Sequence, residues 1–206
     1  MELHEGVKKF IEENISLIEH GEFTECYNML LNRTAATKLV PNFTWSMLSA
    51  GIDPAKFLYV IPNYYLAKTD IKSYVIHDNI EAIEEYIFYS ARLLSNIIIS
   101  ESVKSIGERA FADCYSLTSI KLPEELNKLG DKSFAFCKEL TTVTLPRKVE
   151  HLGMEIFEYC FNLSNIIYPG TVEEFKLTKF FKTDLWKQNM PKNLQVQCTD
   201  GVRTLS

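Results

Sequence analysis

The chain has 206 residues, which suits one domain or one repeat stack with caps. Its 46% hydrophobic and 24% charged residues are ordinary for a globular protein, and its net charge of −5 argues against nucleic acid or an anionic membrane as the main partner. No run approaches the roughly 18 uncharged apolar residues of a membrane span, and residues 1–20 form an acidic amphipathic pattern unlike a basic-then-apolar export signal, so a cytoplasmic protein is expected.

Residues 3–20 read as a helix, with Leu3, Val7, Phe10, Ile11, Ile15 and Ile18 on one face and Gly21 as the stop. A second helix is predicted over 23–32, where Phe23, Cys26, Tyr27, Leu30 and Leu31 share a face. After a polar loop, Thr44 is read as the N-cap of a short helix that Gly51 ends, and Asp53-Pro54 gives a further start signal. Residues 1–52 are therefore expected to form a helical cap.

Beyond residue 53 the sequence repeats. Phe111, Phe134 and Phe157 stand 23 positions apart, as do Cys114, Cys137 and Cys160, and Gly107, Gly130 and Gly153. Leu117, Leu140 and Leu163 keep the step, as do Ile120, Val143 and Ile166, and Pro123, Pro146 and Pro169. A shared period of this size means stacked units. Within one unit, Ile120 and Leu122 alternate as a short strand that Pro123 stops. Arg109 to Cys114 is predicted to be a helical or 3₁₀ turn with Phe111 and Cys114 inside, and Gly107 to supply a backbone shape that a Cβ would penalise.

Stepping back by 23 from these positions finds a degenerate unit with Ile80, Ile83, Phe88, Leu94, Ile97 and Ile99. A further step finds Phe57, Val60, Tyr65, Ile71, Tyr74 and Ile76. About five turns are thus predicted over residues 53–175. Thr171 to Phe175 is expected to open another turn, with Val172 and Phe175 in phase. Residues 176–206 are read as a closing cap, with Phe180, Phe181 and Trp186 as its aromatics, Leu194, Val196 and Cys198 as a last strand and Asp200-Gly201 as a turn.

The motifs Ile106-Gly107, Ala110-Phe111, Cys114-Tyr115-Ser116-Leu117 and Ile120-Lys121-Leu122-Pro123 resemble the BspA-like class of leucine-rich repeat. The next unit matches with Ser133-Phe134, Cys137 and Val143-Thr144-Leu145-Pro146, and the third with Ile156-Phe157 and Ile166-Ile167-Tyr168-Pro169. The resemblance extends to the end, where Trp186 is followed by Val196-Gln197-Cys198-Thr199-Asp200-Gly201. It implies an α/β leucine-rich-repeat solenoid with one parallel sheet, an N-terminal helical cap and an irregular C-terminal cap. Members of the class mostly act through protein binding, and many are surface adhesins. Short forms without an export signal resemble those carried by phages and mobile elements.

No catalytic constellation is expected. The cysteine column has no His or Cys at zinc spacing beside it and is read as packing, while Cys26 and Cys198 are read as free thiols. His4, His20, His77 and His151 are scattered, and the glycines recur singly, without the clustering of a phosphate loop. Glu84-Glu85, Glu124-Glu125 and Glu173-Glu174 fall at unit boundaries and read as solvated turns. An active site would have to draw on Glu12, Glu13, His20, Glu22 and Cys26. No metal, cofactor, nucleic acid or membrane is expected.

The informative surface is the solvent side of the strands. Val75, Ile98, Lys121, Thr144 and Ile167 form one predicted row, and Ser73, Asn96, Ser119, Thr142 and Asn165 a second. An apolar row framed by small polar residues suits a protein-binding surface; strand propensity alone would favour the same β-branched residues. Tyr59, Tyr64 and Tyr89 fall outside the core phase and are further candidates, with packing under the N-terminal helices as the other reading. The expectation is a non-enzymatic protein-interaction module, in its narrowest form a phage-encoded inhibitor of a host enzyme or defence protein. The alternative is a structural or self-assembling protein, as a homo-oligomer, virion component or adhesin.

Overall fold

The computed structural model describes residues 60–61, 66–147, 149–184, 189, 191 and 194–205. The predicted helices of residues 1–52 and the candidates Tyr59 and Tyr64 lie outside them, as does the reactive group from Glu12 to Cys26. The strands are β1 (Val60–Ile61), β2 (Ser73–Val75), β3 (Ala82–Ile83), β4 (Asn96–Ile98), β5 (Ser105–Ile106), β6 (Ser119–Lys121), β7 (Lys128–Leu129), β8 (Thr142–Thr144), β9 (His151–Leu152) and β10 (Asn165–Ile167). Two short helices follow, α1 (Val172–Leu177) and α2 (Lys179–Lys182), then β11 (Leu194–Cys198) and β12 (Gly201–Leu205).

The predicted coil is present, with parallel pairing along two of its sides. Strands β1-β3-β5-β7-β9 form one ladder, and β6-β8-β10-β11-β12 form the other, which β2-β4 precedes. The expected parallel solenoid is therefore present, with its pairing divided among ladders on two sides. The two-residue strands are too short to show an alternation, yet Gly107, Gly130 and Gly153 let successive turns close on that side. A Cβ on Gly107 would lie 2.7 Å from the Glu84 carbonyl carbon, and one on Gly130 would lie 2.5 Å from the Glu108 nitrogen. The glycines are needed for close approach of backbones, and none of the three is in the left-handed region.

Left-handed backbone appears elsewhere, at residues that are not glycine. Tyr86, Arg109, Lys132 and Glu155 form one series at φ 49–59°, and Ser90, Asp113, Phe136 and Tyr159 a second at φ 57–62°. Each pair brackets the corner that was predicted to be helical or 3₁₀. The corner is instead a run of turns, held by i→i+3 bonds such as Cys114 N–H to the Phe111 carbonyl at 3.3 Å.

Inside, the phenylalanines form one column. Ring centres of Phe88 and Phe111 lie 5.0 Å apart, those of Phe111 and Phe134 5.1 Å, and those of Phe134 and Phe157 5.7 Å, all stacked. Beside them runs the thiol column. Cys114, Cys137 and Cys160 each donate from Sγ to the carbonyl of Phe88, Phe111 and Phe134, at 3.3, 3.2 and 3.1 Å. A buried polar atom is tolerated only when bonded, and cysteine meets this requirement at little cost in volume. Burial pushes the Cys114 and Cys137 thiols far above the ordinary range, so both stay protonated.

At the start of the coil the constant step fails by one residue. β1 pairs Ile61 with Ile83, so Val60 faces Ala82 and not the Ile83 predicted from the period. Leu66 donates to the Ile87 carbonyl as Phe88 donates to that of Ala110, which puts Leu66, and not Tyr65, at the head of the phenylalanine column. By Ser73, opposite Asn96, the step is 23 again. The missing residue lies in the exposed corner after Lys68, where shortening disturbs no ladder.

At the other end, α1 replaces the predicted extra turn. Thr171 and Glu174 form a reciprocal capping box, with Thr171 N–H on Glu174 Oε2 at 2.7 Å and Glu174 N–H on Thr171 Oγ1 at 3.2 Å. Phe175 and Phe180 are buried, while Val172 is only half-buried. The predicted last strand is β11, parallel to β10, and Thr199-Asp200 turns the chain into antiparallel β12.

One buried position departs from its column. Ile87, Ala110 and Ile156 surround the phase of Ser133, whose hydroxyl is fully buried with no hydrogen-bond partner. Ser133→Ala copies the neighbouring turn and removes that unmet group, so it should raise the unfolding free energy by about 1 kcal/mol in a denaturant titration. A loss of stability would show that Ser133 has a bonding role.

Candidate functional site

The solvent side of the longer strands assembles as two rows. Register places Val75 beside Ile98, and Lys121, Thr144, Ile167, Gln197 and Val202 beside one another in turn. The second row runs from Ser73 to Asn96 and then through Ser119, Thr142, Asn165, Gln195 and Thr204. Val75, Ile98 and Ile167 are 49%, 56% and 36% exposed, and Lys121 and Asn96 are exposed, with Thr144 and Asn165 half-buried. Gln197 and Val202 lengthen the row beyond its predicted members. Phase is lost after residue 175, so only the observed pairing of β11 and β12 brings them in.

The rows part between β4 and β6. Elsewhere on this side the amide after each strand bonds to the next turn, as from Ile76 to the Ile98 carbonyl at 2.8 Å and from Leu122 to that of Thr144 at 2.9 Å. Among the described residues Ile99 makes no such bond, nor does Thr118 to Ser95, while β3 and β5 remain paired on the other side. The result is a cleft of about 600 Å³ lined by Asp78, Ile97, Ile98, Ile99, Glu101 and Lys121. It offers apolar wall on the β4 side and charge at the rim.

That charge is organised by the repeat. Lys121 Nζ donates to Glu101 Oε1 at 2.9 Å, and Glu101 Oε2 accepts the Glu124 amide at 2.8 Å. One turn on, Glu124 Oε2 accepts the Arg147 amide at 3.2 Å. Glu124, expected in a solvated turn, and Glu101, which no motif singles out, are linked by their spacing of 23. The Lys121 bond, and then the Glu124 amide, hold the Glu101 carboxyl below its ordinary range, while Glu101 raises Lys121. A lowered carboxyl stabilises the fold above its unfolded pKa, and this is lost as pH falls through the folded value. A raised lysine stabilises below its unfolded pKa, and this is lost as pH rises through the folded value. The thermal midpoint of Glu101→Gln should therefore lie slightly below wild type near neutrality, and the two should converge in acid and again in strong base. A pH-independent difference would remove the ion pair as the cause.

Tyr89 is not brought to these rows. It is half-buried in the corner turn, its ring 5.8 Å from Tyr86 in an edge arrangement. The exposed aromatics of that side are others. Phe136 and Tyr159 rings lie 4.8 Å apart, and Tyr159 lies 5.6 Å from Phe161, which is largely exposed. In the column leading to Phe161, Tyr115 is sandwiched by Arg92 at 5.2 Å and Lys138 at 4.3 Å. Among the described residues no group of three or more His, Cys, Asp or Glu is placed to hold a metal, and no helix is long and apolar enough to cross a membrane.

The fold matches solved bacterial proteins. A leucine-rich repeat protein of T. pallidum superposes with a TM-score of 0.52 at 22% identity, over 53% of this chain and 52% of that one. The pneumococcal vaccine antigen PcpA superposes with 0.50 at 22% identity, over 55% of this chain and 28% of that one. The match thus spans about half of the first protein and under a third of the second. Comparison with curated proteins by sequence finds no match. The model of the BspA type leucine rich repeat region fits residues 59–194 in 6 copies, and the chain therefore belongs to the BspA-type leucine-rich repeat family.

Proposed function

We propose that this protein is a non-enzymatic binding module whose sheet face takes a protein partner, with the cleft between β4 and β6 as the point of deepest contact. Leucine-rich repeats are a module type commonly used for protein interaction or adhesion, and solenoids of this type are typically non-enzymatic. The observation that supports the reading is the row itself. Val75, Ile98 and Ile167 are aliphatic, exposed and aligned where solubility calls for polar residues, and Ile98 also lines the cleft.

Ile98→Glu should abolish capture of a specific partner from bacterial lysate while leaving the thermal midpoint within about 1–2 °C, because the side chain is 56% exposed. Ile167→Glu should weaken capture less. Recovery of no specific partner by the wild type, or equal capture by both variants, would overturn the sheet-face reading. The narrower proposal, a phage-encoded inhibitor of a host enzyme or defence protein, rests on the resemblance of the short repeat array. The captured partner tests it directly, since such an inhibitor should also depress its partner's activity.

A further inference from the structure

Strand β12 ends its sheet, and among the described residues no strand pairs with its outer edge. Cys198 and Gly201 pair across the two-residue turn Thr199-Asp200, so they form a hydrogen-bonded pair, and the alternation beyond them is fixed. Gly201, Arg203 and Leu205 turn their backbone groups toward β11. Val202 and Thr204 turn theirs outward, and neither meets another backbone group among the described residues.

Sheet edges are usually blunted by a lysine, a proline, a bulge or a cover. Among the described residues this edge carries no lysine, proline or bulge, and no strand covers it. At five residues β12 matches β11 as the longest described strand, where the others have two or three. Its one charged side chain, Arg203, folds inward with its guanidinium carbon 4.7 Å from the Phe181 ring centre. Leu205 is buried. What faces solvent is Thr204 and Val202, the latter 62% exposed and the most exposed aliphatic of the sheet face.

We propose that a second copy of this chain pairs along β12, antiparallel and edge to edge, so that the two sheets become one. The choice of occupant follows from symmetry. An antiparallel edge maps onto itself by a two-fold rotation, so one set of residues supplies both sides and the contact closes at two copies. The register follows from parity and charge. Outward groups must meet outward groups, which places the axis at Val202, Arg203 or Thr204. An axis at Arg203 would set two guanidinium stems directly opposite each other, an unfavourable like-charge pair. An axis at Thr204 would leave Val202 with no counterpart among the described residues of the copy. An axis at Val202 sets Val202 against its counterpart, Arg203 against the glycine and Thr204 against the aspartate of the copy's turn. That register covers the exposed valine and separates the arginines.

The test is sedimentation equilibrium of the full chain from about 5 to about 500 µM, where a reversible monomer–dimer equilibrium is expected. Val202→Pro removes one outward amide and no bond to β11, so it should weaken the dimer at least about tenfold with the thermal midpoint unchanged. Val202→Lys sets two ammonium groups together across the axis and should weaken it similarly at low salt, with partial recovery at high salt. A strictly monomeric chain across the range overturns the proposal. A dimer whose constant is unchanged in both variants overturns it too, since association would then use another surface.

Discussion

Phe134→Ala should lower the unfolding free energy by about 3–5 kcal/mol, the range for emptying a fully buried aromatic site. Phe134 is stacked on both sides, 5.1 Å from Phe111 and 5.7 Å from Phe157, so its removal breaks two ring contacts and opens a hole in the centre of the column. The coil is too narrow to fill that hole from elsewhere, because the neighbouring core positions are fixed by the ladders on both sides. A double-mutant cycle separates the stacking from the burial. Phe111→Leu with Phe134→Leu should show a coupling of about 0.5–1.5 kcal/mol, whereas Phe88→Leu with Phe157→Leu, which touch only through intermediates, should be additive. Equal coupling in both pairs would mean that the column does not act through nearest neighbours.

Gly130→Ala is the second large effect. A methyl group there would stand 2.5 Å from both the Glu108 nitrogen and the Gly107 carbonyl carbon, closer than nonbonded atoms approach. These are backbone atoms in paired turns and have no rotamer to change. We expect a loss of about 3 kcal/mol or more, the upper range of overpacking. The same substitution at Gly201 gives the control, since its added Cβ would meet only the Val172 side chain at 3.8 Å. It should cost less than about 1 kcal/mol. Chemical denaturation of the two variants side by side decides the matter, and similar midpoints would refute close approach as the reason for the glycine column.

The period made the core readable because it is set by packing. Phe88, Phe111, Phe134 and Phe157 meet ring on ring, so each must keep its phase, and the spacing of 23 records that constraint. The candidate rows were legible for the same reason, since Ile98 and Ile167 are fixed by the buried Ile97 and Ile166 beside them. What escaped the reading is what packing leaves free. The corner after Lys68 could lose a residue without disturbing the core, so Tyr65 was assigned a place that Leu66 holds. A pair such as Ser105-Ile106 is too short to show alternation, so the second ladder was invisible. At Thr171 the helix-start pattern with Glu174 outweighs the continuing phase. The parting of β4 from β6 is a matter of which amides find partners, and no residue type announces it.

That parting has a mechanical consequence. A stack in which each coil holds only its neighbours is as strong as its weakest junction. Between the second and third full coils one side is buttoned by Lys104 on the Glu81 carbonyl and Gly107 on that of Ile83, while the opposite side lacks its two fasteners. Tension or heat should therefore peel away residues 66–99 as one block, with the coils after Ser100 still wound. Deuterium uptake would record the event as early labelling at Ile99 and Thr118, well ahead of Leu122 and Leu145.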